Sequence, residues 1–249
     1  MKDIFQKECV FDMNDKLIVA LDYKTEDAAR TLVEQLGDAV SYYKVGLELF
    51  LNTRGSVIDY LKQENKKVFL DLKFHDIPNT VAQATAWAAT LGVDMFTLHA
   101  SGGLEMMRTS VDKVREVCAQ NNVKMPNMVG VTILTSFDEE GIQKVGYRDN
   151  IATTALNLAK LCQEANMTGV VCSPHEAGKI KEVCGKDFMA VCPGIRPSWA
   201  AKGDQKRITT PADAIKIGVD HMVVGRPITK AENPREAAMK ILEEIGGTF

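Results

Sequence analysis

The chain has 249 residues, 45% of them hydrophobic and 25% charged, and a formal net charge of −3. That length suffices for one large core, and the composition is that of a globular protein rather than a disordered or fibrous one. The slight acidity excludes a general attraction to nucleic acid, and no apolar run approaches the roughly 20 residues that a membrane span requires.

Residues 1–14 are expected to form an N-terminal extension of a single domain spanning 1–249, and their scattered charges leave no apolar stretch of the kind a signal peptide needs. Residues 16–22 read as a short apolar strand ending in Asp22. Thr25 is placed to cap a helix over 26–36, whose Ala28, Ala29, Leu32, Val33 and Leu36 make one apolar stripe. A second strand over 40–45 carries Lys44 near its end, and 46–64 is helical in pattern with a weak spot at Arg54-Gly55. The third strand starts at Val68 as a run of branched and aromatic residues, then meets Asp71 and Lys73, which on an extended chain face the same side. Asp76 follows beyond the strand end. Pro78 stops any ladder, and Asn79 or Thr80 can cap a helix over 81–91.

The alternation continues with a strand over 93–98 and the sequence His99-Ala100-Ser101-Gly102-Gly103, then a helix over 104–120. A strand over 127–133 leads to Leu134-Thr135-Ser136, a polar connection and an amphipathic helix over 151–165. Next come a strand over 169–172, a helix from about 174 to 183, and a strand over 188–192 that runs into Pro193-Gly194-Ile195-Arg196. Thr210 caps, Pro211 opens and Gly218 closes another helix. The strand over 219–224 ends in Gly225-Arg226-Pro227-Ile228-Thr229, and a last helix runs from Asn233-Pro234 to Gly246-Gly247.

About eight strands, each followed by a helix, predict a (β/α)8 TIM barrel in a single domain. The strands are apolar without alternation, as in a parallel sheet covered on both faces. A doubly wound open sheet is the runner-up, disfavoured because no Gly-x-Gly-x-x-Gly follows the first strand.

In such a barrel the strand C-termini gather on one face. Asp22, Lys44, Asp71 and Lys73 would then meet as alternating charges. One such pair could simply fix a strand end; four charges at three adjacent strand ends point to function, since ionised groups inside a sheet lose several kcal/mol of hydration each, roughly, unless paired. Across the mouth, the loops after the last two strands carry Gly194-Ile195-Arg196 and Gly225-Arg226, suited to gripping an anion through backbone N–H groups and guanidinium forks. The polar stretch 197–209, with Trp199, Gly203, Asp204 and Gln205, reads as a lid over that anion rather than an idle surface loop. His75 and His99 fit hydrogen-bonding roles better than direct chemistry. Six cysteines lie at 9, 118, 162, 172, 184 and 192, without Cys-x-x-Cys spacing. Cys162, Cys172 and Cys192 read as buried thiols, pointing to a reducing compartment, most simply the cytoplasm. No metal motif is present in the pattern of cysteines and histidines.

The decapeptide Asp71-Leu72-Lys73-Phe74-His75-Asp76-Ile77-Pro78-Asn79-Thr80 resembles the signature of the orotidine 5′-phosphate decarboxylase family in its bacterial form. Leu21-Asp22, Lys44-Val45-Gly46, His99 to Gly103, Val131 to Ser136, Pro193 to Pro197, Gly203-Asp204-Gln205 and Val224 to Ile228 match that family in order, over nearly the whole chain. The resemblance implies a homodimer with shared active sites, converting orotidine 5′-monophosphate to uridine 5′-monophosphate and CO2 without metal or organic cofactor. It implies that Lys73 protonates C6 and that Asp71 sits by the departing carboxylate. It implies further that Asp76 would reach in from the partner subunit with Thr80 beside it, that Asp22 and Lys44 would hold the ribose hydroxyls, that Thr135 would lie by the pyrimidine and ribose, and that Arg196, Gln205, Gly225 and Arg226 would bind phosphate. Two alternatives stand beside it: a magnesium-dependent sugar-phosphate decarboxylase or aldolase with the same Asp-x-Lys-x-x-Asp core, and a non-catalytic nucleotide-binding barrel.

Overall fold

The apolar runs become parallel strands that close on themselves. In the structure, a computed structural model that describes residues 13–200 and 209–246, these are β1 (Leu17–Ala20), β2 (Tyr42–Gly46), β3 (Lys67–Phe74), β4 (Met95–His99), β5 (Asn127–Val131), β6 (Gly169–Val171), β7 (Met189–Pro193) and β8 (His221–Val224). Each pairs with the next in chain order, and β8 returns to β1, so the sheet has no edge. Helices fill the connections and pack around the outside, giving the expected (β/α)8 barrel. Of the expected extension 1–14, residues 1–12 lie outside the described residues.

A strand turns successive side chains to opposite faces. Ile18, Ala20, Tyr42, Phe69, Met95, Val129, Val191 and Val223 point into the barrel and form a packed apolar layer. The residues between them, such as Leu17, Val19, Tyr43, Val45 and Leu70, face outward into the larger core beneath the helices. Two positions beyond the interior layer, toward the strand C-termini, stand Asp22, Lys44, Asp71 and Thr97, with Val131, Pro193 and Gly225. The site therefore rests on an apolar floor and is built by the same period of two.

Local signals set most helix ends. Thr25, Thr210 and Asn233 each cap the following helix through a side-chain oxygen, accepting from the N–H of Ala28, Asp213 and Glu236. The weak spot at Arg54-Gly55 is a true break: both residues have positive φ, 52° and 88°, and separate helices Leu47–Thr53 and Ser56–Gln63. Two expectations are corrected. The helix after β3 begins at Pro78, with Ile77 as its cap residue and no side-chain cap from Asn79 or Thr80. Proline's fixed φ and missing N–H suit the first helical position, so it starts this helix rather than preceding it. The polar connection after β5 contains a helix, Glu139–Lys144, capped by the Asp138 carboxylate.

The opposite end of the barrel is closed by the 3-10 turn Met13–Lys16. Asp15 there pairs with Lys67, accepts from Ser41 Oγ at 3.2 Å, and meets His221 Nδ1 through its carbonyl at 2.7 Å. Cys118, Cys162, Cys172, Cys184 and Cys192 are buried free thiols. Among the described residues no helix is long and apolar enough to cross a membrane.

Gly169 shows how tightly the sheet is packed: a Cβ there would lie 2.2 Å from the Met189 carbonyl oxygen on the neighbouring strand. Backbone of a paired strand cannot step aside, so Gly169→Ala is expected to destabilise the fold by about 3 kcal/mol. The check is urea unfolding, with a lower midpoint at an unchanged slope.

Candidate active site

Lys44 stands two residues beyond Tyr42 on β2, and Asp71 two beyond Phe69 on β3; both rise from the apolar floor into the mouth. Asp22 follows β1. Lys44 Nζ lies 3.3 Å from Asp22 Oδ1 and 3.5 Å from Asp71 Oδ2, and Lys73 Nζ lies 2.8 Å from Asp71 Oδ2 and 2.9 Å from Oδ1. The expected chain of alternating charges is thus present, in the order Asp22, Lys44, Asp71, Lys73. Burial grades along it: the side chains of Lys44 and Asp71 are 13% and 12% exposed, those of Lys73 and Asp22 36% and 65%.

Burial alone would push the Asp71 carboxyl up. Lys44 and Lys73 nearby, with hydrogen bonds from Lys73 and Thr97, more than offset this and hold it below the usual carboxylate range. Asp71 is therefore an anion in the resting site, fixed in direction by three hydrogen bonds from two donors, Lys73 and Thr97. Gly46 and Gly225 border the array closely. A Cβ on Gly46 would stand 3.3 Å from Lys44 Nζ, and one on Gly225 3.4 Å from Asp22 Oδ2.

Asp71 and Lys73 meet by a route that simple alternation does not describe. The pairing of β3 with β4 shifts register between Leu70 and Phe74, and Lys73 has φ 54°, in the left-handed region. For a residue with a long side chain that conformation costs about 1–2 kcal/mol, and strain of this kind collects at functional sites. Sequence reasoning missed a residue here. Thr97 on β4, fully buried, accepts a hydrogen bond from the Lys73 backbone N–H at 2.9 Å and donates to Asp71 Oδ1 at 3.0 Å. The signal was a hydroxyl residue two positions after Met95 in an otherwise apolar run.

A cleft of about 230 Å³ opens over the array, lined by Lys44, Asp71, Lys73 and Thr135 with apolar Ile133, Leu134 and Val223. A wider cavity of about 440 Å³ lies at the ends of β7 and β8, lined by Arg196, Trp199, Arg226, Pro227 and Lys230. Arg196 is buried and its N–H bonds the Thr209 carbonyl at 3.0 Å, next to a bridge between Ile195 and Thr209 that fastens the two ends of the 197–209 stretch together. Residues 201–208 of the expected lid, among them Gly203, Asp204 and Gln205, lie outside the described residues. Gly225 caps the short turn Arg226–Thr229.

Asp76 does not join the array of its own chain. It is exposed, with Oδ1 accepting the Ile77 N–H at 2.6 Å, and Thr80 is exposed in the first turn of the next helix. The His75 and His99 rings meet at 5.2 Å between centres, tilted by 36°, beside the array. Among the described residues no three His, Cys, Asp or Glu side chains are grouped to hold a metal ion.

These features define a class: a (β/α)8-barrel enzyme whose strand ends present a fixed array of alternating charges, with arginines on the far side of the mouth. Comparison with known proteins narrows it. The family model described as "Orotidine 5′-phosphate decarboxylase / HUMPS family" matches residues 15–241. The orotidine 5′-phosphate decarboxylase of Nostoc sp. is 44% identical over 93% of this chain and 98% of its own. That of Carboxydothermus hydrogenoformans is 46% identical over 95% and 98%. The crystal structure of orotidine 5′-phosphate decarboxylase from Lactobacillus acidophilus superimposes with a TM-score of 0.82 at 37% identity, covering 93% of this chain and 99% of that one. The chain belongs to the orotidine 5′-phosphate decarboxylase / HUMPS family.

Burial lowers the His99 pKa from its ordinary value, and His75 and Lys73 lower it further while Asp71 opposes them. The imidazole is expected to titrate below the ordinary histidine range. Lys73→Met removes a cation that disfavours the imidazolium, so the midpoint should rise. Ring-proton NMR against pH reads both values, and a midpoint that falls in the variant would contradict the geometry.

Proposed function

We propose that this protein decarboxylates orotidine 5′-monophosphate to uridine 5′-monophosphate, and that the array at the ends of β1 to β3 performs the chemistry. The observation that carries the reading is the Asp71–Lys73 pair. It is an anion and a cation held 2.8 Å apart at the floor of the cleft, with Lys44 on the other side of the anion. Breaking the bond from C6 to the carboxylate releases CO2 and leaves the electron pair in an sp2 orbital with no adjacent carbonyl to receive it. Stabilisation has to come from a pre-placed cation, and the Lys73 ammonium supplies it. The same ammonium donates its proton to C6, giving the product and a neutral amine that recovers a proton from water. Asp71 lies beside the substrate carboxylate and keeps Lys73 aimed and charged. A sensor that merely bound an anionic nucleotide would have no use for a carboxylate fixed at that point.

Asp22 and Lys44 take the ribose hydroxyls, and Thr135 borders the base and ribose at the cleft wall. Arg196, Arg226 and the Gly225 backbone bind the phosphate in the wider cavity, and the role of Gln205 is the same. Remote phosphate binding then supports the chemistry at C6. The free thiols support a reducing compartment, the cytoplasm.

Each site is shared between two copies of the chain. Leu47 and Leu51, 53% and 62% exposed, and Ile77 and Trp87, 67% and 45%, present large apolar side chains on two elements joined by a Phe50–Trp87 ring contact. Asp76 and Thr80 lie in that same surface, beside the mouth. A two-fold interface over it would carry Asp76 and Thr80 into the partner's site.

The primary test follows the absorbance of orotidine 5′-monophosphate with purified protein in EDTA. Turnover is expected; activity confined to a hexulose phosphate with magnesium would transfer the chain to the metal-dependent branch of chemistry. Lys73→Ala should retain the fold by circular dichroism and lose at least about a thousandfold in kcat, because it removes both the proton donor and the pre-placed charge. Retention of a tenth of the activity would mean only about 1.4 kcal/mol of lost stabilisation and would dismiss Lys73 from that role.

Sharing is tested by mixing inactive Lys73→Ala chains with inactive Asp76→Ala chains under conditions of subunit exchange. In a mixed dimer one site carries both lesions and the other neither, so with random pairing roughly a quarter of sites regain full activity. No recovery, with exchange verified by mass-tagged chains, would mean that Asp76 acts within its own subunit.

A further inference from the structure

On either side of the active-site segment, β3 and β4 keep register: Leu70 stands opposite Phe96 and Phe74 opposite Leu98. Between these pairs β3 has three residues, Asp71, Leu72 and Lys73, and β4 has one, Thr97. The segment that carries the reacting pair is therefore a β-bulge of three residues against one. A bulge lacks the ladder bonds that would hold an ordinary strand, and it re-aims the side chains it contains. Here it also contains a lysine at φ 54°.

The one side chain opposite the bulge supplies what the ladder does not. A threonine hydroxyl has one proton to give and lone pairs to receive, so it can serve two partners at once. Thr97 Oγ1 receives the Lys73 N–H at 2.9 Å and gives its proton to Asp71 Oδ1 at 3.0 Å. It is fully buried, so water does not compete for either bond. Its own strand is regular and sits on the apolar layer through Met95, which makes it a fixed point for a displaced segment.

We propose that Thr97 is a positioning residue: a single buried hydroxyl that pins the backbone of Lys73 and the carboxylate of Asp71 to one another across the bulge. It is fully buried beneath the residues that line the cleft and is not among them. The inference rests on the decarboxylase reading for its effect on turnover, and on geometry alone for its effect on the bulge. Thr97→Val keeps the shape and removes both bonds, whereas Thr97→Ser keeps the hydroxyl and removes a methyl.

Two measurements on the full-length protein test it. In steady-state kinetics with orotidine 5′-monophosphate, Thr97→Val should lower kcat at least about tenfold while KM changes much less, and Thr97→Ser should recover most of kcat. In amide hydrogen exchange by NMR, the Lys73 N–H should exchange at least about tenfold faster in Thr97→Val than in wild type or Thr97→Ser, with flanking amides of β4 unchanged. Wild-type kcat in Thr97→Val overturns the proposal, as does unaltered Lys73 exchange. Equal damage in the valine and serine variants also overturns it, because it assigns the effect to packing. If wild type fails to turn over the nucleotide, the function proposed above falls. The exchange comparison then still decides whether Thr97 pins the bulge.

Discussion

The site depends on one desolvated carboxylate. Asp71 keeps its charge at 12% side-chain exposure only because Lys44 and Lys73 stand within 3.5 Å of it and Thr97 donates to it. Removing a charge from water costs several kcal/mol, roughly, unless partners replace the solvent. The partners come from β2, β3 and β4, so the array can form only after those strands have paired in register. Charge and fold are therefore coupled: the barrel brings the lysines together, and the carboxylate between them relieves the repulsion that their approach creates.

The charge array and the packed core occupy successive layers of the same strands. The apolar layer of Ile18, Tyr42, Phe69, Met95 and Val223 is closely packed and carries no chemistry. Two residues further along, the same strands carry Asp22, Lys44, Asp71, Thr97 and Gly225. The strain at Lys73 is confined to this upper layer, where the register shift begins only after Leu70. A rigid floor lets the mouth hold an unfavourable backbone without loosening the barrel.

The barrel was legible in the sequence because its elements announce themselves separately: apolar strands, capped helices, and glycines or prolines between them. The four-charge array was legible for a related reason, since period two and the barrel topology together fix where Asp22, Lys44 and Asp71 must go. What escaped was non-local. The helix start at Pro78 was placed a turn late because a proline after a strand reads equally as a stop or a start. Thr97 left only a faint trace, a hydroxyl in an apolar run, because its two bonds depend on the bulge opposite, and a bulge arises from the pairing of two strands rather than from either one. Asp76 and Thr80 stand exposed, apart from the array of their own chain, and the shared site proposed for them needs a second copy of the chain.

The bridge between Ile195 and Thr209 has a consequence for how such a protein can change over time. Because the stretch between them leaves and rejoins the barrel at one fastened stem, the barrel senses its ends and not its length. Doubling a connection of this kind adds only about 0.6 kcal/mol to the entropy of closing it. Insertions and deletions there cost folding little, so the strands beneath set no limit on the length of that segment, and any limit on its composition comes from the cavity that Arg196 and Trp199 line.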